Sequence, residues 1–398
     1  MNASVRNAAP RRLTGAGLAL GRGLAAGLLA LGLIQPSAAV LPNDPMASVQ
    51  ALPATISPHW VWVNDIVFSH MANGKAMLVD GDNGRFLGEL DVGFGSMHVV
   101  LSLDGKVIFS PETYFSRGTR GDRTDVVTLY DPVHLAPIGE IVIPPKRSSN
   151  MPMMANATLT DDGRFLLIYN FTPAQSISVV DTRSRTFAGE IDTPGCALTY
   201  PTGARSFFSV CADGTLLDVR LDESGHATSQ QRTAQMFQVQ RDPVTEKAVR
   251  VRDTWYFVSY DGMLYPINIS KSGLTPGPTW SLLSAADTAQ KWRPGGLQQL
   301  AAQAGLNRLY SIMHQGPRDT HKDPGKEVWV YDLARHARIQ KIAMKNDSGS
   351  IQVTHDAHPL LFSAFIESNI LDVYDASSGA YLRSVKDIGT TPTVLVTP

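Results

Sequence analysis

Cysteine is nearly absent: the 398-residue chain has two, Cys196 and Cys211. A disulfide-dense scaffold is therefore excluded, and no Cys-x-x-Cys metal or redox motif can exist. Charge is scarce too, at 18% of residues, and it nearly cancels to a formal −1. A nucleic-acid reader needs a basic face, so no nucleic-acid partner is expected. Beyond residue 39 no apolar run is long enough to span a bilayer, so no membrane partner is expected for the mature chain. His-Glu-x-x-His, Gly-x-x-x-x-Gly-Lys and Gly-x-Ser-x-Gly are all missing, which removes the commonest hydrolase and phosphate-binding signatures.

What the chain has instead is a repeat. Val126–Asp131 reads Val-Val-Thr-Leu-Tyr-Asp, a β-branched and aromatic run that ends on Asp before Pro132. Val, Thr and Tyr suit a pleated strand and Asp-Pro stops one. A second short apolar run, Ile138–Ile143, follows the turn. The same pattern recurs at Met77–Asp80, Ser178–Asp181, Leu217–Asp222, Leu264–Asn268, Val328–Asp332 and Leu371–Asp375. The seven terminal Asp or Asn positions are 41 to 64 residues apart. A second signal lies between them: Ser102-Leu-Asp-Gly105, Thr160-Asp-Asp-Gly163, Pro201-Thr-Gly203 and His355-Asp-Ala-His358 each feed an apolar strand. Two strand–turn signals in a period of this length predict an all-β chain, a seven-bladed β-propeller of four-stranded antiparallel blades.

The ends read differently. Residues 1–39 have the form of a signal peptide, with Arg6, Arg11 and Arg12, an apolar Gly23–Ile34 and small residues at Ser37-Ala38-Ala39. Export to the periplasm is expected, although the residues around Arg11-Arg12 fit the twin-arginine pattern poorly. Residues 40–58 carry four prolines and predict an extended N-terminal arm; residues 59–398 predict the propeller. The two cysteines flank the turn at Tyr200–Gly203, so hairpin pairing could bring them to disulfide distance. Two buried thiols are the alternative; an oxidising compartment favours the disulfide.

Several stretches invite a functional reading. In Asn64–Met71, Phe68 is either a core side chain or one standing on a loop at the ring's mouth. Glu112–Asp125 is very polar, with Arg117, Arg120 and Arg123 among glycines and aspartates. It predicts a loop stapled by Arg–carboxylate pairs, or a docking loop for an acidic partner. Trp292-Arg-Pro-Gly-Gly296 predicts a ring packed between blades with close backbone approach at the glycines, or part of a partner surface. The longest interval, Asn268 to Asp332, contains a short helix expected within Ser281–Lys291 and a polar loop at Gln315–Lys326. His355 and His358 have a ligand-like spacing but lie in a turn, and Asp80–Gly84 lacks the closing ligands of a calcium loop.

Read together, these residues resemble the heavy subunit of the quinoprotein amine dehydrogenases. The resemblance is carried in order by Val63–Gly88, the Arg-Gly-Thr-Arg-Gly-Asp-Arg-Thr-Asp-Val-Val run at Arg117–Val127, Ile143-Pro-Pro-Lys-Arg147 and Gly195–Cys211. It continues through Gln235-Met-Phe237, Phe257-Val-Ser-Tyr260, Trp280-Ser-Leu-Leu283, Trp292–Gly296, Met313-His314, Thr320-His-Lys322 and Glu327-Val-Trp-Val330. The chain looks closer to the aromatic amine dehydrogenase branch than to the methylamine one. His314–Thr320 and Asp261 depart from the family pattern.

The resemblance implies a periplasmic assembly of two heavy and two light subunits. The cofactor, tryptophan tryptophylquinone, and the catalytic base would belong to the light subunit. No catalytic, cofactor-binding or metal residue is then expected in this chain. The reaction implied is oxidation of a primary, aromatic amine to aldehyde and ammonia, with electrons passing to a blue-copper protein such as azurin or amicyanin. The family's channel-mouth phenylalanine falls at Phe68, and its heavy-chain disulfide at Cys196 and Cys211. Two other classes stay open: a free-standing binding propeller with a ligand at its axis, and a metal-dependent lactonase-type propeller.

Overall fold

The repeated aspartate has a local job. Asp131 Oδ1 accepts the N–H of Val133 at 2.9 Å, closing the turn that follows its strand. The same bond to the residue two positions on is made by Asp80, Asp181, Asp222, Asp332 and Asp375. A short carboxylate that mimics a backbone turn ends the strand and starts the reversal. Asn268 differs: its strand, Met263–Ser270, runs past it, and Asn268 Oδ1 accepts from Thr254 Oγ1.

A computed structural model describes residues 51–95, 98–149 and 151–398 of the chain. The expected signal peptide, 1–39, and arm residues 40–50 lie outside the described residues. Among those described, seven antiparallel sheets follow one another, five of four strands and two of five. The fold is a seven-bladed β-propeller, as the repeat count requires. Each Asp-ended segment is the third strand of its blade, and the second sequence signal marks second strands such as Phe165–Asn170 and Leu360–Ala364.

Second and third strands read as continuous apolar runs because both of their faces are covered. Phe165–Asn170 and Ser176–Asp181 are buried at every position. The outer strand Ala136–Ile143 is mostly exposed. The apolar clusters lie between blades: one joins Phe109, Val127 and Leu129 to Leu166, Ile168 and Val180 of the next sheet.

The ring is closed by its two ends. Pro392–Val396 pairs with Trp60–Asp65, and Lys75–Asp80 and Phe86–Asp91 complete this first blade. The first blade is thus built from both chain ends. At the seam, His59 Nδ1 lies 2.6 Å from Asp82, and its Nε2 lies 3.1 Å from Asp356 of the last blade.

Some sequence expectations are corrected. Asn64 and Asp65, at the head of the stretch that carries Phe68, are buried residues of the strand Trp60–Asp65, and Asn64 Nδ2 donates to the Val394 carbonyl of the closing strand. The helix expected at 281–291 is a single turn, Ala285–Ala289, capped by Ser284 with Asp287 in a capping box. Ser281 instead pairs with Met263 as a strand. Glu112 and Thr113, read as part of a polar loop, are buried in the strand Ile108–Phe115.

Candidate functional site: the Phe68 face and the axial cavity

In an antiparallel blade, the turns from second to third strand and the links from each fourth strand to the next blade emerge on one face. That face gathers the segment after Trp60–Asp65, the arginine-rich hairpin and the Gln315–Lys326 loop. The first of these carries Phe68. Val67 takes a left-handed conformation, φ 49°, and reverses the chain into the 3-10 segment Phe68–Asn73. Such a φ is costly for a β-branched residue, so something must hold it. Asp65 does so: its Oδ1 accepts the N–H of Val67 at 2.8 Å and the N–H of Thr391 at 3.0 Å. Phe68 N–H in turn donates to Thr391 Oγ1 at 3.1 Å. The Phe68 side chain is 43% exposed, so the core reading is overturned and the ring stands on the surface of this face.

The mount continues into the next blade. Gly95 N–H donates to the Met71 carbonyl at 2.9 Å, and Phe94 N–H to that of Thr113. Arg147, buried, donates to the carbonyls of Phe94, Gly95 and Ser148. Burial pushes its guanidinium down to about 10, against the pull of Asp125. The carboxylate of Asp125 is fully buried; it accepts Arg147 N–H, Thr113 Oγ1 and two bonds from Arg123, both 2.8 Å. The stapled-loop reading is therefore met by one bidentate pair, Arg123–Asp125. Arg117 and Arg120 sit exposed at the tip and make no ion pair among the described residues. Sequence reasoning quoted Arg147 without giving it a role; an arginine beside Pro144-Pro145 carries no local signal of burial.

Farther round the face, Tyr260 stacks on His321 at 4.0 Å and its hydroxyl meets Nε2 at 3.0 Å. Asp261 holds Arg293 at 3.5 Å and Arg318 at 3.7 Å, so the Gln315–Lys326 loop is pinned to the neighbouring blade. Trp292 packs on Trp329 of its own blade at 5.0 Å and stays half-buried against the apolar cluster shared with the preceding blade. Gly296 (φ 112°) leaves no room for a side chain: a Cβ there would lie 2.5 Å from the Gly349 carbonyl oxygen.

Cys196 and Cys211 face each other on the first two strands of their blade and form a disulfide. His355 lies after the strand Ser350–Val353, in the expected turn, and its pKa is lowered by burial. Among the described residues no group of three or more His, Cys, Asp or Glu is arranged to hold a metal ion. None of the helices there is long and apolar enough to cross a membrane.

A cavity of about 860 Å³ runs along the ring axis. First strands form its wall, through Leu101, Leu159, Val249, Leu300, Gln352 and Val394. Ala54, Thr55 and Ile56 of the N-terminal arm also line it.

The profile of the family described as methylamine dehydrogenase heavy chain (MADH) matches residues 58–398. The methylamine dehydrogenase heavy chain of Paracoccus versutus is 33% identical over 326 residues, covering 81% of this chain and 76% of that one. The heavy chain of Methylophilus methylotrophus is 29% identical over 352 residues, covering 87% and 85%. Among solved structures, the Pseudomonas aeruginosa periplasmic gluconolactonase PpgL superposes with a TM-score of 0.59 at 15% identity, covering 85% of this chain and 99% of that one. The dihydro-heme d1 dehydrogenase NirN gives 0.51 at 15% identity, over 88% and 66%. Those two likenesses speak for the propeller alone. The family profile spans all seven blades, and on it and the heavy-chain relatives the chain belongs to the methylamine dehydrogenase heavy chain family.

Proposed function

We propose that this chain is the exported, non-catalytic scaffold of a tryptophan tryptophylquinone amine dehydrogenase acting on primary, aromatic amines. Residues 1–39 would direct it to the periplasm and be removed, leaving the arm of residues 40–58 and the propeller. Two such chains would hold two light subunits, and a blue-copper protein such as azurin or amicyanin would take the electrons. When bound, the partner's quinone supplies the oxidising chemistry.

The observation that carries the reading is the exposed Phe68 ring on a rigid mount. Thr391, Asp65 and the Met71–Gly95–Arg147 chain of bonds fix the backbone beneath it. An aromatic side chain so held can form one wall of a substrate channel whose other wall is a second subunit. Excluding water and fixing the approach path matter to rate even where the wall contributes no reacting group. Arg117 and Arg120, unpaired at the hairpin tip of the same face, suit an acidic partner surface.

The test is purification from the native source. A small partner carrying quinone absorbance should accompany the chain, and the chain freed of it should oxidise no amine. Amine turnover by the isolated chain would overturn the proposal.

A further inference from the structure

The axial cavity has a feature that a channel wall does not require. Most polar side chains around it are satisfied by the protein. Gln298 exchanges both of its amide atoms with Leu395 of the closing strand, at 2.8 and 3.0 Å. Arg250 is committed to Asp161 through two bonds. His98 keeps a buried Nδ1 without a partner, and among the charged lining side chains two are different. Lys247 donates to the Gly296 carbonyl at 3.0 Å and makes no ion pair among the described residues. Glu246, next to it, uses its backbone carbonyl to accept Tyr200 Oη, while its carboxylate, which His321 and Lys247 both feel, makes no hydrogen bond or ion pair among the described residues. Burial pushes the Lys247 ammonium down, Glu246 pulls it up and exposed Lys322 pushes it down again, so the opposite charges lie within electrostatic reach of each other. They nevertheless do not close into a salt bridge.

An ammonium and a carboxylate, unpaired on the wall of one cavity, leave room for a molecule that carries both charges in the opposite sense. The rest of the wall supplies apolar surface from Met153, Met154 and Leu101. At about 860 Å³ the space falls within the range of small-molecule sites, and a few convergent polar groups among apolar ones is their usual make-up. We propose that the axial cavity binds a free α-amino acid with an apolar side chain, its carboxylate on Lys247 and its ammonium on Glu246. A simple amine would set its charge against Lys247, and a simple acid against Glu246. Only the zwitterion satisfies both groups.

Titration calorimetry on the full chain tests this with three ligands of one apolar body: phenylalanine, phenethylamine and 3-phenylpropionate. Phenylalanine should bind about tenfold or more tighter than either half-molecule, the discrimination expected of hydrogen bonds to charged groups. Lys247→Met should weaken phenylalanine by a similar factor and leave phenethylamine no weaker. Glu246→Gln should weaken phenylalanine and leave 3-phenylpropionate no weaker. The melting midpoint of each variant reports whether it folds; if one does not, the three-ligand series on the unaltered chain still decides. Equal binding of a half-molecule, or no saturable binding of phenylalanine, overturns the proposal. No light subunit takes part in the measurement, so its failure would leave the scaffold reading standing.

Discussion

Asp65 accepts the backbone N–H of Thr391 at 3.0 Å, a bond spanning 326 positions of the chain. The same carboxylate accepts Thr391 Oγ1 at 2.9 Å and the N–H groups of Val67 and Thr390. One buried side chain thus fastens the last segment of the chain to the turn that presents Phe68. Asp65→Ala should leave several buried donors without a partner and lower stability by about 3 kcal/mol. Urea denaturation measures that loss; a change below about 0.5 kcal/mol would mean the ring closes without it.

Phe68 itself should behave differently. Its ring is exposed, so Phe68→Ala should change folding stability by no more than about 0.5 kcal/mol. In the assembled enzyme the same substitution should shift relative kcat/KM among amines of different bulk. Unchanged selectivity would mark the ring as a bystander.

The His59 seam should respond to pH. Burial opposes its imidazolium, but the bonds to Asp82 and Asp356 outweigh that and raise its pKa above 6.5. A raised histidine stabilises fully below its unfolded pKa, about 6.5, and the benefit is lost as pH climbs through the higher folded value. Asp356 works the other way. Burial raises it, but Thr354, the His358 N–H and His59 together hold it below the ordinary 3.8, so its contribution fades on acidification through that lower range. The closure should therefore be firmest between about pH 4 and 6.5. Both partners are partly solvated, so the effect should be small. In melting curves collected from pH 5 to 8, His59→Gln should flatten the loss of stability toward the alkaline side. An unchanged slope would show that the imidazole does not lock the seam.

Arg147 should tolerate no conservative exchange. Its fork reaches three carbonyls, and Arg147→Lys presents a point charge that cannot span them. A loss of about 3 kcal/mol is expected, with the Phe94–Gly95 segment exchanging its amide hydrogens faster. Full protection of those amides in the lysine variant would show that Arg147 is not their support.

The blades could be read in the sequence because their signals are local. A third strand is covered on both faces and so is apolar throughout, and the aspartate after it caps its own turn two residues on. The first strands escaped notice. Val100–Leu101 and Ala157–Leu159 are two and three residues long, too short to show a period. The cysteine pair was legible because its partners are neighbours on a hairpin.

Sequence alone thus determined the number of blades, the strand that opens each turn and the family. Contacts across hundreds of residues decided the rest: that Asn64 bonds the closing strand, that Phe68 faces outward, and that Glu246 and Lys247 line one cavity without forming a salt bridge. Each depends on which segments become neighbours when the last strand joins the first blade. That pairing is set by the closure of the ring and leaves no mark within any single repeat.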